Sequence, residues 1–144
     1  MKKWFMCLIL SLLLVVPNTL LGQDWVTANQ STIAWDAVTT LSNGDPVPEN
    51  NTIGYAVYLA NSITDPNKTN PAELGSILEL SYLVTLNNEG SYFVGVKAIR
   101  KLSDGTIVGE SNIAWSDNPE YTSGGNSFGI RYFLPPACVH NVNF

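Results

Sequence analysis

Side chains able to do covalent or metal chemistry are scarce in this 144-residue sequence, which holds 2 cysteines and 1 histidine. Nucleophilic catalysis by a serine or cysteine needs a positioned base. The single histidine, His140, lies close to the C-terminal end, where chain ends are commonly mobile. Cys138 and His140 stand two residues apart and could both bind a metal, yet two ligands without a further cysteine or histidine make an incomplete site. Among the 12 acidic residues, no pair is marked by its surroundings as the acid and base of a glycosidase. Asp45, Glu49 and Asp65 sit in loop-like sequence and could hold calcium, although solvated loop carboxylates are far commoner. The glycines are scattered through turns, so no phosphate-cradling loop is present. A sequence pI near 4.6 argues against a phosphate-backbone binder, which needs clustered Lys and Arg. The expectation is a non-catalytic chain with no cofactor, no metal and no nucleic-acid partner.

Whatever binding groups exist must then be held by the fold, and the first residues do not belong to it. Lys2 and Lys3 form a basic start, residues 4–16 are uncharged and dominated by Leu, Val, Ile and Phe, and Pro17-Asn18-Thr19 breaks the run. This layout predicts a secretory signal peptide over residues 1–22, cleaved after Gly22. The alternative is an uncleaved anchor, since residues 4–21 carry no charge over 18 positions, near the shortest spanning length. Cys7 has no small residue immediately before it and is a poor lipidation site. After removal of the leader, 122 residues keep 5 basic and 12 acidic side chains, a net charge of −7, and one cysteine, Cys138. A secreted domain with one thiol has no intrachain disulfide, so its stability rests on its core.

Across the remaining chain the apolar residues alternate, and turn clusters separate the runs. Ile33 and Trp35 share one face of a first strand. Residues 41–51 form a loop by composition, and Ile53, Tyr55, Val57 and Leu59 share a face in a second strand. Residues 61–71 are a long polar connection with two prolines, and residues 71–77 offer the only helical turn. Leu78, Leu80, Tyr82, Val84 and Leu86 alternate through a third strand; Tyr92, Val94, Val96 and Ala98 mark a fourth. Ser103-Asp104-Gly105-Thr106 signals a hairpin that returns residues 107–115 beside it. The expectation is an all-β, immunoglobulin-like antiparallel sandwich of about seven strands over residues 23–116.

The run from Leu86 to Ala98, with Gly90, Tyr92, Val94 and Val96 at successive offsets, resembles the sixth strand of fibronectin type III domains. Trp35 resembles the tryptophan of that family's second strand, Gly54-Tyr55-Ala56-Val57-Tyr58 its third, and Glu110-Ser111-Asn112 the start of its last. The set covers residues 31–116 and is most similar to the bacterial exported variant. The resemblance implies that Trp35 fills the space between the sheets and that the Tyr92 hydroxyl bonds a nearby backbone group. It also implies a bacterial route of export, in which the sequons at Asn29, Asn50 and Asn67 carry no glycan. Asp104-Gly105 occupies the loop where some such modules carry an Arg-Gly-Asp motif, which is absent here. The first strand has little room, because Trp35 stands only twelve positions after Gln23.

Residues 117–125 read as a linker, and Phe128, Ile130, Tyr132 and Phe133 resume an extended apolar pattern before Pro135-Pro136. Left exposed, that segment would be an apolar patch, so the tail over residues 117–144 is expected to dock as an extra strand or wrap the sandwich. The rival reading is that residues 135–144 begin a second module. The leading function is an exported, non-catalytic binding or structural module, secreted, periplasmic or at the cell surface, meeting the membrane only in transit. Its partner is a protein or glycan at the cell surface, met through the loops over 41–51 and 61–71 and through Tyr121, Phe128, Tyr132 and Phe133. The alternative is a carbohydrate-binding module using exposed aromatics. A small hydrolase stands third, without a visible nucleophile and base.

Overall fold

In a computed structural model, which describes residues 23–137, the strongest alternation in the sequence becomes the two longest strands. Nine strands are present among the described residues: β1 (Asp24–Thr27), β2 (Gln30–Ala34), β3 (Thr52–Asn61), β4 (Ala72–Ile77), β5 (Ser81–Thr85), β6 (Gly90–Lys101), β7 (Ile107–Glu110), β8 (Ala114–Trp115) and β9 (Phe128–Tyr132). The only helical element among them is a 3-10 turn at Ser123–Gly125. Strands β3 and β6 pair antiparallel over ten residues from Thr52↔Lys101 to Asn61↔Tyr92. That ladder is the spine of a large sheet ordered β1-β9-β6-β3-β4.

One edge of β6 is filled in three pieces. Gly90, Ser91 and Tyr92 pair with β9, Gly95 and Val96 with β8, and Ile99 to Lys101 with β7. Among the described residues a second sheet contains only β2 and β5, paired from Gln30↔Thr85 to Ala34↔Ser81. The architecture is all-β and sandwich-like. Its core is the cluster Val57, Val84, Leu86, Val94 and Ile130, with Ile33, Trp35, Leu59, Leu74, Tyr82, Tyr92 and Tyr132 packed against it. Tyr55 is buried and stands beside Trp35 with ring centroids 5.5 Å apart. Val96 and Ala98 continue the inward parity of β6 but are half-buried, because the second sheet stops short of them.

Several expectations are corrected. The large sheet is mixed, not antiparallel throughout, because β1 runs parallel to β9 from Asp24↔Phe128 to Thr27↔Arg131. Residues 23–116 hold eight strands rather than about seven, and β9 is an extra strand from the tail, paired with β1 and β6. Residues 72–77 form an edge strand against β3, not a helical turn: Ala, Glu and Leu favour a helix locally, but the unpaired edge of β3 offers backbone partners that a single turn lacks. Leu78 and Leu80 lie outside β5 and are exposed. The returning arm of the hairpin is broken between Glu110 and Ala114. Residues 1–22, with the expected leader and Cys7, and residues 138–144, with Cys138 and His140, lie outside the described residues.

Candidate functional site

The aromatics expected to contact a ligand divide between two environments. Alternation along β9 turns Phe128, Ile130 and Tyr132 to the inner side, where Ile130 is fully buried, and Tyr132 packs against the core. Phe128 and Tyr121 both line a half-open pocket of about 90 Å³ with Trp35 and Val96. Tyr121 and Phe133 remain 56% and 52% exposed. Tyr121, Tyr132 and Phe133 therefore do not form one exposed platform. The Tyr92 hydroxyl donates to the backbone carbonyls of Asn88 and Glu89, at 3.2 and 3.3 Å. The Trp35 indole N–H is buried without an acceptor among the described residues.

The loop carboxylates bind their own loops. Asp65 accepts from the amides of Thr69 and Asn70 at 2.8 and 3.0 Å and from the Thr69 hydroxyl at 2.9 Å, the geometry of a turn-capping aspartate. Those amides, Asn70 first, hold its carboxyl below its ordinary value of 3.8. Asp104 is lowered in the same way by the Thr106 amide, and Asp45 bonds Asn43. No group of three or more His, Cys, Asp or Glu that could hold a metal occurs among the described residues.

The outer face of the large sheet carries a feature that strand periodicity gave no reason to expect. Trp25 lies flat over Gly129 and stacks on Phe93 at 5.9 Å, while Trp115 lies over Gly95. A Cβ on Gly129 would stand 2.6 Å from the Trp25 ring, and one on Gly95 would stand 2.5 Å from Ile113 and 2.8 Å from Trp115. Cations sit on these rings. Arg131 lies 4.4 Å from the Trp25 centroid, Lys68 lies 5.1 Å from that of Phe93 and 5.7 Å from that of Trp115, and Lys97 covers Tyr58 at 5.5 Å. Lys68 has φ +54° and an ion pair with Asp117 at 2.6 Å. Lys97 pairs with Glu110 at 2.8 Å, and that hydrogen bond raises its ammonium above the ordinary 10.5. This ladder of rings and cations covers the face that has no second sheet, so it reads as structural.

The inner face is covered unevenly. Strands β3 and β6 have ten and twelve residues, β2 and β5 five each, so at about 3.3 Å per residue the small sheet spans roughly half the length of the large one. The chain between β2 and β3 crosses the remainder. Its turn is closed by Thr40↔Pro46 and it is tied down where the Val38 amide donates to the Tyr55 hydroxyl at 3.0 Å. Between that loop and β7 lies an open groove of about 450 Å³. Its floor is Ile53, Ala98 and Arg100, and its walls include Val38, Leu41 and Val108. Arg100 is half-buried, donates through Nε to the Asn51 side-chain carbonyl, and has no carboxylate within ion-pair distance among the described residues. Glu110 borders the same groove, but its carboxylate is held by Lys97.

The expected contact loop over residues 41–51 supplies Leu41, Ser42 and Asn43 to the groove's wall, whereas Arg100 is not among the expected contacts. The signal was present, because Arg100 has the parity of Tyr92, Val94, Val96 and Ala98 and so places a cation on the apolar side of β6. Comparison with family models, with curated proteins and with solved structures finds no match to this chain.

Proposed function

We propose that this chain is an exported, non-catalytic module with a fibronectin type III-like sandwich, and that it binds another protein through the open end of its inner face. The observation that carries this reading is the groove over Ile53, Ala98 and Arg100, an apolar surface with one cation that the short second sheet leaves uncovered. The sandwich type is supported by β3, β6 and β7 sharing a sheet that faces β2 and β5, and by the bond from the Tyr92 hydroxyl to the backbone upstream. Export rests on the leader-like residues 1–22. A glycan-binding alternative loses its strongest support with Tyr132 packed against the core.

The test is photo-crosslinking in the native host, with the reactive group placed at Val108 beside the groove or at Thr85 on the outer side of the small sheet. A protein captured from Val108 and not from Thr85, by a chain recovered outside the cytoplasm with its mass beginning at Gln23, is the expected result. Retention in the cytoplasm would remove the export reading. Failure to capture any protein, together with binding of the full-length chain on a glycan array, would replace protein binding by sugar binding.

A further inference from the structure

The groove has a second property, which identifies what fits it. Strand β7 pairs with β6 alone. The Ser111 amide donates to the Ala98 carbonyl at 2.9 Å, so the preceding residue, Glu110, turns its N–H and C=O to the opposite side, where no strand lies among the described residues. Gly109 pairs with Arg100 and has open space where a side chain would stand. An unpaired strand edge, an apolar groove and a cation thus adjoin one another, and no bulky side chain separates Arg100 from the edge.

Arg100 shares with Lys101 and Arg131 the lack of an ion pair among the described residues, but Arg131 lies over the Trp25 ring, and of the three it is Arg100 that borders the apolar groove. The chain holds 12 acidic residues against 7 basic ones, and the two ion pairs among the described residues, Lys68 with Asp117 and Lys97 with Glu110, leave Arg100 with an amide as its partner. A guanidinium presents its donors in a fork that matches a carboxylate. A half-buried guanidinium with a neutral acceptor, beside an open groove, is placed to take a carboxylate brought by a partner. Backbone groups on the free edge select an extended chain, since adding a strand satisfies them with main-chain bonds.

Resting on the protein-binding reading above, we infer that an extended peptide of a partner protein adds to the free edge of β7 and sets an aspartate or glutamate on Arg100. Aliphatic residues two positions before and after that carboxylate, which share its face of an extended strand, fill the groove against Val38, Leu41 and Val108. The peptide's inward side chains lie two strand spacings from β6, about 10 Å, a span that an arginine and a glutamate bridge together.

Selection of a displayed random heptapeptide library on the full-length protein tests this. The expected enrichment is an acidic residue with Val, Ile or Leu two positions before and after it, and a synthetic copy of a selected peptide should lose at least tenfold in affinity when its acid becomes the amide. Arg100→Gln should cause the same loss. If that variant fails to fold, Val108→Glu, at an exposed position, places a repelling carboxylate in the groove and should also abolish binding. N-methylation of the peptide amides that face β7 should prevent binding, whereas methylation of the alternate amides should not. Selected peptides without an acid, or whose binding survives both protein variants, would overturn this site while leaving protein binding elsewhere on the module standing. Absence of any enriched peptide would overturn the inference too, and crosslinking from Val108 would then decide the broader reading separately.

Discussion

At the scale of single residues, close approach decides what the outer face tolerates. Gly95 and Gly129 let Trp115 and Trp25 lie on the backbone, and a methyl group at either position meets ring or Ile113 atoms closer than 3.0 Å. Gly95→Ala should therefore cost about 1–3 kcal/mol through overpacking, read as a lower urea midpoint. Gly109→Ala, where nothing stands within 4 Å of the new carbon, is the control and should be near neutral in stability. Equal midpoints for the two variants would contradict the packing account. Asp65 gives a pH prediction. Its folded value lies below 3.8, so its contribution is present above the ordinary carboxylate range and is lost as the pH falls through the folded value. The amide shifts of Thr69 and Asn70 should titrate together with a midpoint under 3.8; a midpoint at or above it would show that these bonds do not form.

Among elements, β9 has the largest consequence for its five residues. It separates β1 from β6, pairs with both, and contributes Ile130, one of the fully buried side chains of the core. The Phe128 amide donates to the Ser116 carbonyl at 2.8 Å, so β9 resumes where β8 leaves the edge of β6, and residues 117–127 bulge out between them. Ile130→Ala should cost about 2–5 kcal/mol in thermal or urea unfolding, the range for deleting a buried aliphatic group. Truncation after Gly124 should lower the melting temperature further, because it also leaves β1 without its pairing strand; an unchanged melting temperature would remove β9 from the core. Alternation made β3, β6 and much of β5 legible in advance, since each presents one face to the core. It could not reveal β4, whose pairing along β3 depends on an edge that only exists once β3 and β6 have joined.

For the whole molecule, unequal sheets set both stability and function. Strands β3 and β6 are flanked on both sides, whereas β2 and β5 form a pair with no third strand among the described residues, and an isolated two-stranded sheet is marginal without packing support. Leu83, 55% exposed, faces outward from that pair. Hydrogen exchange should be slowest at the β3 and β6 amides and fastest, among strands, at Gln30, Thr32 and Ala34. The ends of the β2–β5 ladder, Asn29 bonded to Leu86 and Trp35 to Leu80, turn these three residues away from β5. Equal protection in both sheets would mean that the small sheet has a partner strand of its own. The same shortfall in length that leaves β2 and β5 exposed also opens the groove over Arg100.

The sequence by itself determined the class of fold, because alternation is a local property that survives without knowledge of partners, and it determined the poverty of catalytic side chains, because composition bounds chemistry. It also placed Trp35, Val57, Val84, Leu86 and Val94 against one another, since inward parity and aliphatic character coincide there. Tertiary structure alone decided which strands are neighbours: the parallel pairing of β1 with β9, the three-part edge of β6 and the seating of Trp25 and Trp115 on glycines all join residues far apart in the chain. The groove depends on the same level, because a site made of missing coverage arises only when two sheets of different length are laid face to face.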